Sequence, residues 1–206
     1  MPDWNISSNA PDEFGLIQVY WGDGKGKTTA ALGTIIRAAG HGYRVHMLQF
    51  LKTVEEGPYR PGEYTVLDSI PNVSRESVGA EGWHRPEQNN EKFRKAAMEG
   101  ITRVKDLLEG VKQAELEDIL SSTGDPKDGV HLLVLDELLY AVERDLIEEG
   151  EVRNILENKP DQLEIIITGG HKRPDWITDI ADLISHVEKE KHPSEAGYQA
   201  RRGSEY

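Results

Sequence analysis

The chain has 206 residues, 37% of them hydrophobic and 30% charged, with a formal net charge of −13 and no cysteine. That length supports one well-buried core, the missing thiols exclude disulfides, a thiolate zinc site and a cysteine nucleophile, and the acid excess argues against nucleic acid as a partner. The polar opening MPDWNISSNAPDEFG has no basic stretch ahead of an apolar run, and no window approaches eighteen consecutive apolar residues, so a cytoplasmic protein with no membrane partner is expected.

In chain order, LIQVYW (16–21) predicts a buried strand running directly into a glycine-rich turn. TTAALGTIIRAAG (28–40) predicts a helix with Leu32, Ile35, Ile36 and Ala39 on its inner face and Gly40 as its stop. YRVHMLQF (43–50) predicts a second strand and YTVL (64–67) a short third. Between these two strands and on to about Asn89 the chain is punctuated by glycine and proline, from Gly57 to Pro86, a composition that compact domains reserve for binding loops. QNNEKFRKAAMEGITRVKDLLEGV (88–111) predicts a long helix with a charged outer face, STGDPKDG (122–129) a loop, and HLLVLDE (131–137) a strand ending in two acids. ERDLIEEGE (143–151) reads as a solvated helix face, LEIIIT (163–168) as a buried strand, DWITDIAD (175–182) as a helix and LISHVE (183–188) as a last strand. Apolar strands alternating with helices predict an α/β domain with a mostly parallel sheet covered on both faces, and a ligand at the carboxyl ends of its strands.

The stretch WGDGKGKTTAALG (21–33) has the order strand, glycine turn, lysine, threonine, helix. Gly22, Gly24 and Gly26 are expected to turn their amide hydrogens inward as a nest for phosphate, with Lys25 and Lys27 adding charge and Thr28 offering a hydroxyl to magnesium. The strict pattern G-x-x-x-x-G-K-[ST] asks for glycine where Trp21 stands. Downstream, LLVLDE carries Asp136 to a strand tip suited to holding a magnesium-bound water, with Glu137 beside it. The pair of motifs predicts a three-layer P-loop NTPase-like (RecA-like) fold over residues 15–206, preceded by an N-terminal segment 1–14 without a core pattern.

The segments GDGKGKTTAALGTIIRAAGHGYRVHMLQFLK, LLVLDELLYAV, EIIITGG and KHPSEAGYQARRGSEY occur in an order that resembles the P-loop corrinoid adenosyltransferases, from about Gly15 to Tyr206. That family also lacks the first glycine of the strict motif. Its chemistry, as the resemblance implies, is attack by a cobalt(I) corrinoid on the 5'-carbon of ATP with departure of tripolyphosphate. Lys27 and Glu137 are then the catalytic candidates. Gly22, Gly24, Lys25, Gly26, Lys27, Thr28, Thr29 and Arg37 would bind ATP, and Thr28, Asp136 and Glu137 would hold Mg2+ or Mn2+. Trp83 and His192 would face the corrinoid. A homodimer, a flavoprotein reductant and an N-terminal active-site lid are further implications.

Several positions depart from the family pattern. Asp23 replaces an asparagine in the loop, and an acid there must point outward or meet a cation. Arg85 stands where a second aromatic residue follows Trp83 in relatives, and His84 reads as a loop histidine, since a strong ligand opposes a four-coordinate cobalt. After LEIIIT, Gly170 takes the place of an arginine, so Lys172 or Arg173 is the candidate source of its charge, and His171 is a further candidate at the corrinoid edge. Two other classes share the phosphate motifs: a P-loop kinase or ATPase, which requires a water-positioning group that the motifs do not supply, and a non-enzymatic nucleotide or corrinoid carrier.

Overall fold

Strand side chains point alternately to opposite faces, and in this chain both faces are apolar. The computed structural model describes residues 14–52, 57, 60–80, 91–117 and 129–204. Its elements run β1 (Ile17–Trp21), α1 (Lys27–Gly40), β2 (Val45–Phe50), α2 (Gly62–Leu67), β3 (Val73–Val78), α3 (Glu91–Glu117), β4 (Leu132–Asp136), α4 (Leu138–Glu143), α5 (Glu149–Glu157), β5 (Glu164–Thr168) and β6 (Leu183–His186). Short 3-10 turns lie at Asp175–Ile177 and Pro193–Ala196. The strands pair in the order β3-β2-β4-β5-β1-β6, and all the pairings are parallel.

Leu133, Leu135, Ile165 and Ile167 join one core under α3, α4 and α5. Leu132, Val134 and Ile166, on the opposite face, join a second core with Ala31, Ile35, Ala38 and Ala39 of α1. β2, β4 and β5 are buried along their whole length, as a covered parallel sheet requires. Each such isoleucine or leucine contributes about 1.5–3 kcal/mol by leaving water. α3 presents Phe93, Ala97, Ile101, Val104, Leu108 and Val111 to its core at helical spacing.

Four sequence expectations are corrected. YTVL forms the end of α2, a helix, because Pro61 and Gly62 start a turn and the spacing Tyr64 to Leu67 buries both side chains while Val66 stays exposed. The third strand is instead Val73–Val78, an edge strand whose polar residues are paired: Arg75 with Asp68 and the Tyr64 ring, and Arg103 with Glu76. DWITDIAD makes only a 3-10 turn, since Asp182 accepts a hydrogen bond from the Ile17 amide and draws the segment extended into β6. On α1, Ile36 is exposed and Ala31 and Ala38 complete the inner face, because the buried stripe is centred on Ile35.

The acidic stretch 143–151 is a helix end, a tight turn with Asp145 at φ 55° and the start of α5, and Leu146 and Ile147 are buried within it. The loop STGDPKDG, all but Gly129, and residues 1–13 lie outside the described residues. Among the described residues, no helix is long and apolar enough to cross a membrane.

Candidate active site

β1, β5, β4 and β2 are adjacent in the sheet, so their carboxyl ends bring the glycine loop, Thr168, Asp136 and the end of β2 together. Gln49 lies opposite Asp136 in the parallel register, and Leu135 pairs with Ile167, one residue before Thr168. A cavity of about 530 Å³ opens there. It is lined by Gly24 to Thr29 and Leu32, by Lys52, Gly62, Glu63 and Glu137, and by Gly203 and Ser204 from the C-terminal segment. Among the sequence candidates, Gly24, Lys25, Gly26, Lys27, Thr28, Thr29 and Glu137 therefore meet in one place.

α1 begins at this cavity with no side-chain cap and no acid in its first turn. The first amides of a helix have no intrahelical partner, so the helix start offers donors and the positive end of its dipole to an anion. The three glycines divide the remaining work differently from the expected nest. The Gly22 amide donates to the Gly170 carbonyl at 3.0 Å and the Gly24 amide to the Val187 carbonyl at 2.8 Å. Their lack of a side chain serves close packing: a Cβ on Gly22 would meet the Val187 oxygen at 2.3 Å, and one on Gly24 would meet the Glu188 oxygen at 2.7 Å. Trp21, in the place of the missing glycine, stacks on His186 with ring centroids 4.0 Å apart.

The loop's cations are engaged within the protein. Lys27 Nζ donates to the Gly22 and Gly24 carbonyls at 2.6 and 3.0 Å, and Lys25 Nζ donates to the Ser204 carbonyl at 2.8 Å. Asp23 points outward as expected and accepts a bond from the Lys189 amide, which lowers its carboxyl below the ordinary value.

Asp136 is fully buried, and all four of its observed hydrogen bonds come from side chains. Thr28 and Thr168 donate to Oδ1 at 2.8 and 2.7 Å, and Gln49 and Lys52 donate to Oδ2, each at 2.9 Å. Burial works to raise this carboxyl, but the Lys52 charge and the hydrogen bonds from Gln49, Thr168 and Lys52 outweigh it and hold the group below the usual carboxylate range. Glu137 behaves in the opposite way: burial and then the neighbouring Asp136 charge push it up, against Lys52 and Lys27. Its backbone adopts φ 61°, and its amide donates to Thr168 Oγ1 at 3.1 Å. That left-handed turn lifts the Glu137 side chain onto the cavity wall while Asp136 stays beneath it.

Oxygen donors from Thr28 and Glu137 on one wall suit a hard divalent cation that takes its remaining ligands from phosphate and water. No group of three or more His, Cys, Asp or Glu side chains among the described residues forms an all-protein metal cage.

The other candidates lie apart. Arg37 is exposed on α1, nearly three turns from Lys27, about 15 Å at the helical rise. His192 caps the turn Pro193–Ala196, accepting from the Ser194 amide. Lys172 and Arg173 border a second cavity of about 220 Å³, where Glu143 accepts from the amides of His171 and Lys172. Trp83, His84 and Arg85 lie outside the described residues. Lys52, Gln49 and Thr168 are additions that the motif reading missed; their signal is polar residues at or just past the ends of two buried strands, Gln49 and Lys52 in HMLQFLK and Thr168 in EIIIT.

Comparison with known proteins gives the family. The family described as ATP:corrinoid adenosyltransferase BtuR/CobO/CobP matches residues 13–206. A corrinoid adenosyltransferase of Escherichia coli K12 is 35% identical over 199 residues, covering 97% of this chain and 89% of the relative. The corrinoid adenosyltransferase CobA of Salmonella typhimurium is 36% identical over 199 residues with the same two coverages, and one from Pseudomonas aeruginosa is 29% identical over 199 residues, covering 97% and 87%. With its phosphate loop and Asp-Glu strand at one parallel-sheet edge and the match running through nearly the whole chain, this protein belongs to the ATP:corrinoid adenosyltransferase family.

Proposed function

We propose that the chain transfers the 5'-deoxyadenosyl group of ATP to the cobalt(I) of a reduced corrinoid and releases tripolyphosphate. The observation that carries this reading is the cavity shared by the uncapped start of α1, Lys25, Lys27, Thr28 and Glu137. In the reaction a cobalt–carbon bond forms as the bond between C5' and the α-phosphate oxygen breaks, and the electron pair leaves on the tripolyphosphate. No proton moves, so the site needs cations and amides where charge accumulates rather than a general base. Lys27 leaves the Gly22 and Gly24 carbonyls and Lys25 leaves Ser204 to meet the triphosphate over the amides of α1.

Thr28 and Glu137 would hold Mg2+, or Mn2+ with the same oxygen donors, and Asp136 acts from below through the Thr28 hydroxyl. Bound there, the metal supplies positive charge to the departing tripolyphosphate. Arg37, outside this cavity on the exposed face of α1, is carried from the family likeness as a further nucleotide contact, and Trp83 and His192 as corrinoid contacts, in a cytoplasmic homodimer with residues 1–14 as a lid over the site. A flavoprotein supplies the electron that reduces cobalt(II).

The test is an anaerobic assay of the purified chain with ATP, Mg2+ and chemically reduced cob(I)alamin or cobinamide. A light-sensitive alkylcobalt product with stoichiometric tripolyphosphate is expected, and Lys27→Ala should lose most of it, on the order of 10²-fold or more. Accumulation of ADP and phosphate with no cobalt–carbon bond would overturn the reading in favour of phosphoryl transfer.

A further inference from the structure

Beneath the cavity, Asp136 has more partners than a metal-facing carboxylate requires. Three of them, Thr28, Thr168 and Gln49, are neutral. The fourth, Lys52, is the only cation among the described residues bonded to it, and it reaches Oδ2 at 2.9 Å from beyond the end of β2. The chain is bent to bring it there. Leu51 adopts φ 62°, a left-handed conformation unfavourable for a leucine, while its amide still bonds the Val78 carbonyl of β3 at 2.8 Å. Left-handed non-glycine residues thus follow two neighbouring strands, Leu51 after β2 and Glu137 after β4, and both turn an ionisable side chain toward this site. Strain of that kind persists where the surroundings hold it, commonly at functional positions.

The two oxygens of Asp136 have separate partners. Oδ2 takes Gln49 and Lys52; Oδ1 takes the two threonine hydroxyls. A hydroxyl that donates its one proton to Oδ1 keeps its lone pairs for a cation, and Thr28 lines the cavity. A buried carboxylate left with neutral donors alone carries an uncompensated charge, and removing its paired cation is strongly destabilising to the arrangement around it.

We propose that Lys52 is a positioning residue of the nucleotide site: by pairing with one oxygen of Asp136 it commits the other to the Thr28 hydroxyl and so orients Thr28 toward the metal–nucleotide. The inference rests on the reading of this cavity as the ATP site. Lys52 acts through Asp136 and Thr28, so its removal reduces the gain in ATP affinity that magnesium brings, over and above any loss of metal-free affinity from removing a cation that lines the cavity.

Calorimetric titration of the full chain with ATP, in excess EDTA and in excess Mg2+, separates these effects, with thermal melting to verify folding. In Lys52→Met the gain in ATP affinity on adding Mg2+, taken as the ratio of the two affinities, should fall about tenfold relative to the unaltered chain. Lys52→Arg should restore most of the gain. Lys52→Gln, which keeps a donor without the charge, should lose about threefold and serves if the methionine variant does not fold. A folded Lys52→Met or Lys52→Gln protein with the full magnesium gain overturns the proposal. So does an equal fall in metal-free and magnesium-bound affinity, which would make Lys52 a direct phosphate contact. Failure of the unaltered chain to bind ATP in either condition would instead overturn the underlying assignment of the cavity.

Discussion

His46 should make the fold lose stability in mild acid. Its side chain is fully buried in β2, with Nδ1 2.8 Å from Ser74 Oγ and Nε2 3.8 Å from Glu76 Oε1. Burial pushes the imidazole down from 6.5 to about 4; Glu76 pulls the other way, and Arg103, which grips Glu76 through two nitrogens, adds to the lowering. Between those two values the unfolded chain takes up a proton that the folded chain refuses, so stability is full above about pH 6.5 and declines as pH falls toward 4. A tenfold difference in proton affinity is worth about 1.4 kcal/mol, so the full contribution is about 3 kcal/mol, of which about 2 kcal/mol disappears between pH 7 and pH 5. Urea unfolding followed by circular dichroism at half-unit steps from pH 7.5 to 4.5 measures this directly. His46→Gln keeps an amide for Ser74 and removes the titration, so its stability should fall by about 2 kcal/mol less over the same interval. Parallel curves for the two proteins would refute the reasoning, because the remaining acid sensitivity would then belong to other groups.

Gly24→Ala should cost about 1–3 kcal/mol in urea unfolding, because the new methyl meets two backbone carbonyls of the β6 exit, Val187 and Glu188, neither of which is the movable end of a side chain. Thr168→Val removes both the donor to Asp136 and the acceptor of the Glu137 amide, and should lower unfolding free energy by about 1–3 kcal/mol while reducing kcat. Glu137→Gln should raise the Mg2+ concentration for half-maximal transfer by at least about tenfold, measured by tripolyphosphate release, with little change in the melting temperature.

The buried strands of this chain were legible because apolar runs such as VHMLQF and EIIIT lower their free energy by packing in a core covered on both faces. The edge strand VSRESV was not, since its polar residues are accommodated by Arg103 of α3 and by Asp68 after α2, partners distant in sequence or hidden in a turn. The phosphate motif likewise pointed to residues that line the cavity, but it did not show that the Gly22 and Gly24 amides bond within the protein. Gly22 and Gly24 accommodate the passage of residues 187 and 188, more than 160 positions downstream, and no local pattern encodes that approach. Arg37, prominent through the family likeness, stands outside the cavity on an exposed turn of α1.

What the sequence by itself determined was the chemistry to expect: GKGKTT opens a helix, LLVLDE ends a strand in two acids, and a parallel α/β fold brings such ends together. Only the tertiary structure decided how the two acids differ. Adjacent in the chain and alike in charge, Asp136 lies buried under four side-chain donors and Glu137 is turned by a left-handed backbone onto the cavity wall. The physical reason is strand order. Gln49 and Thr168 reach Asp136 from the neighbouring strands β2 and β5, and Lys52 from just beyond the end of β2, a neighbourhood that exists only once the sheet has formed.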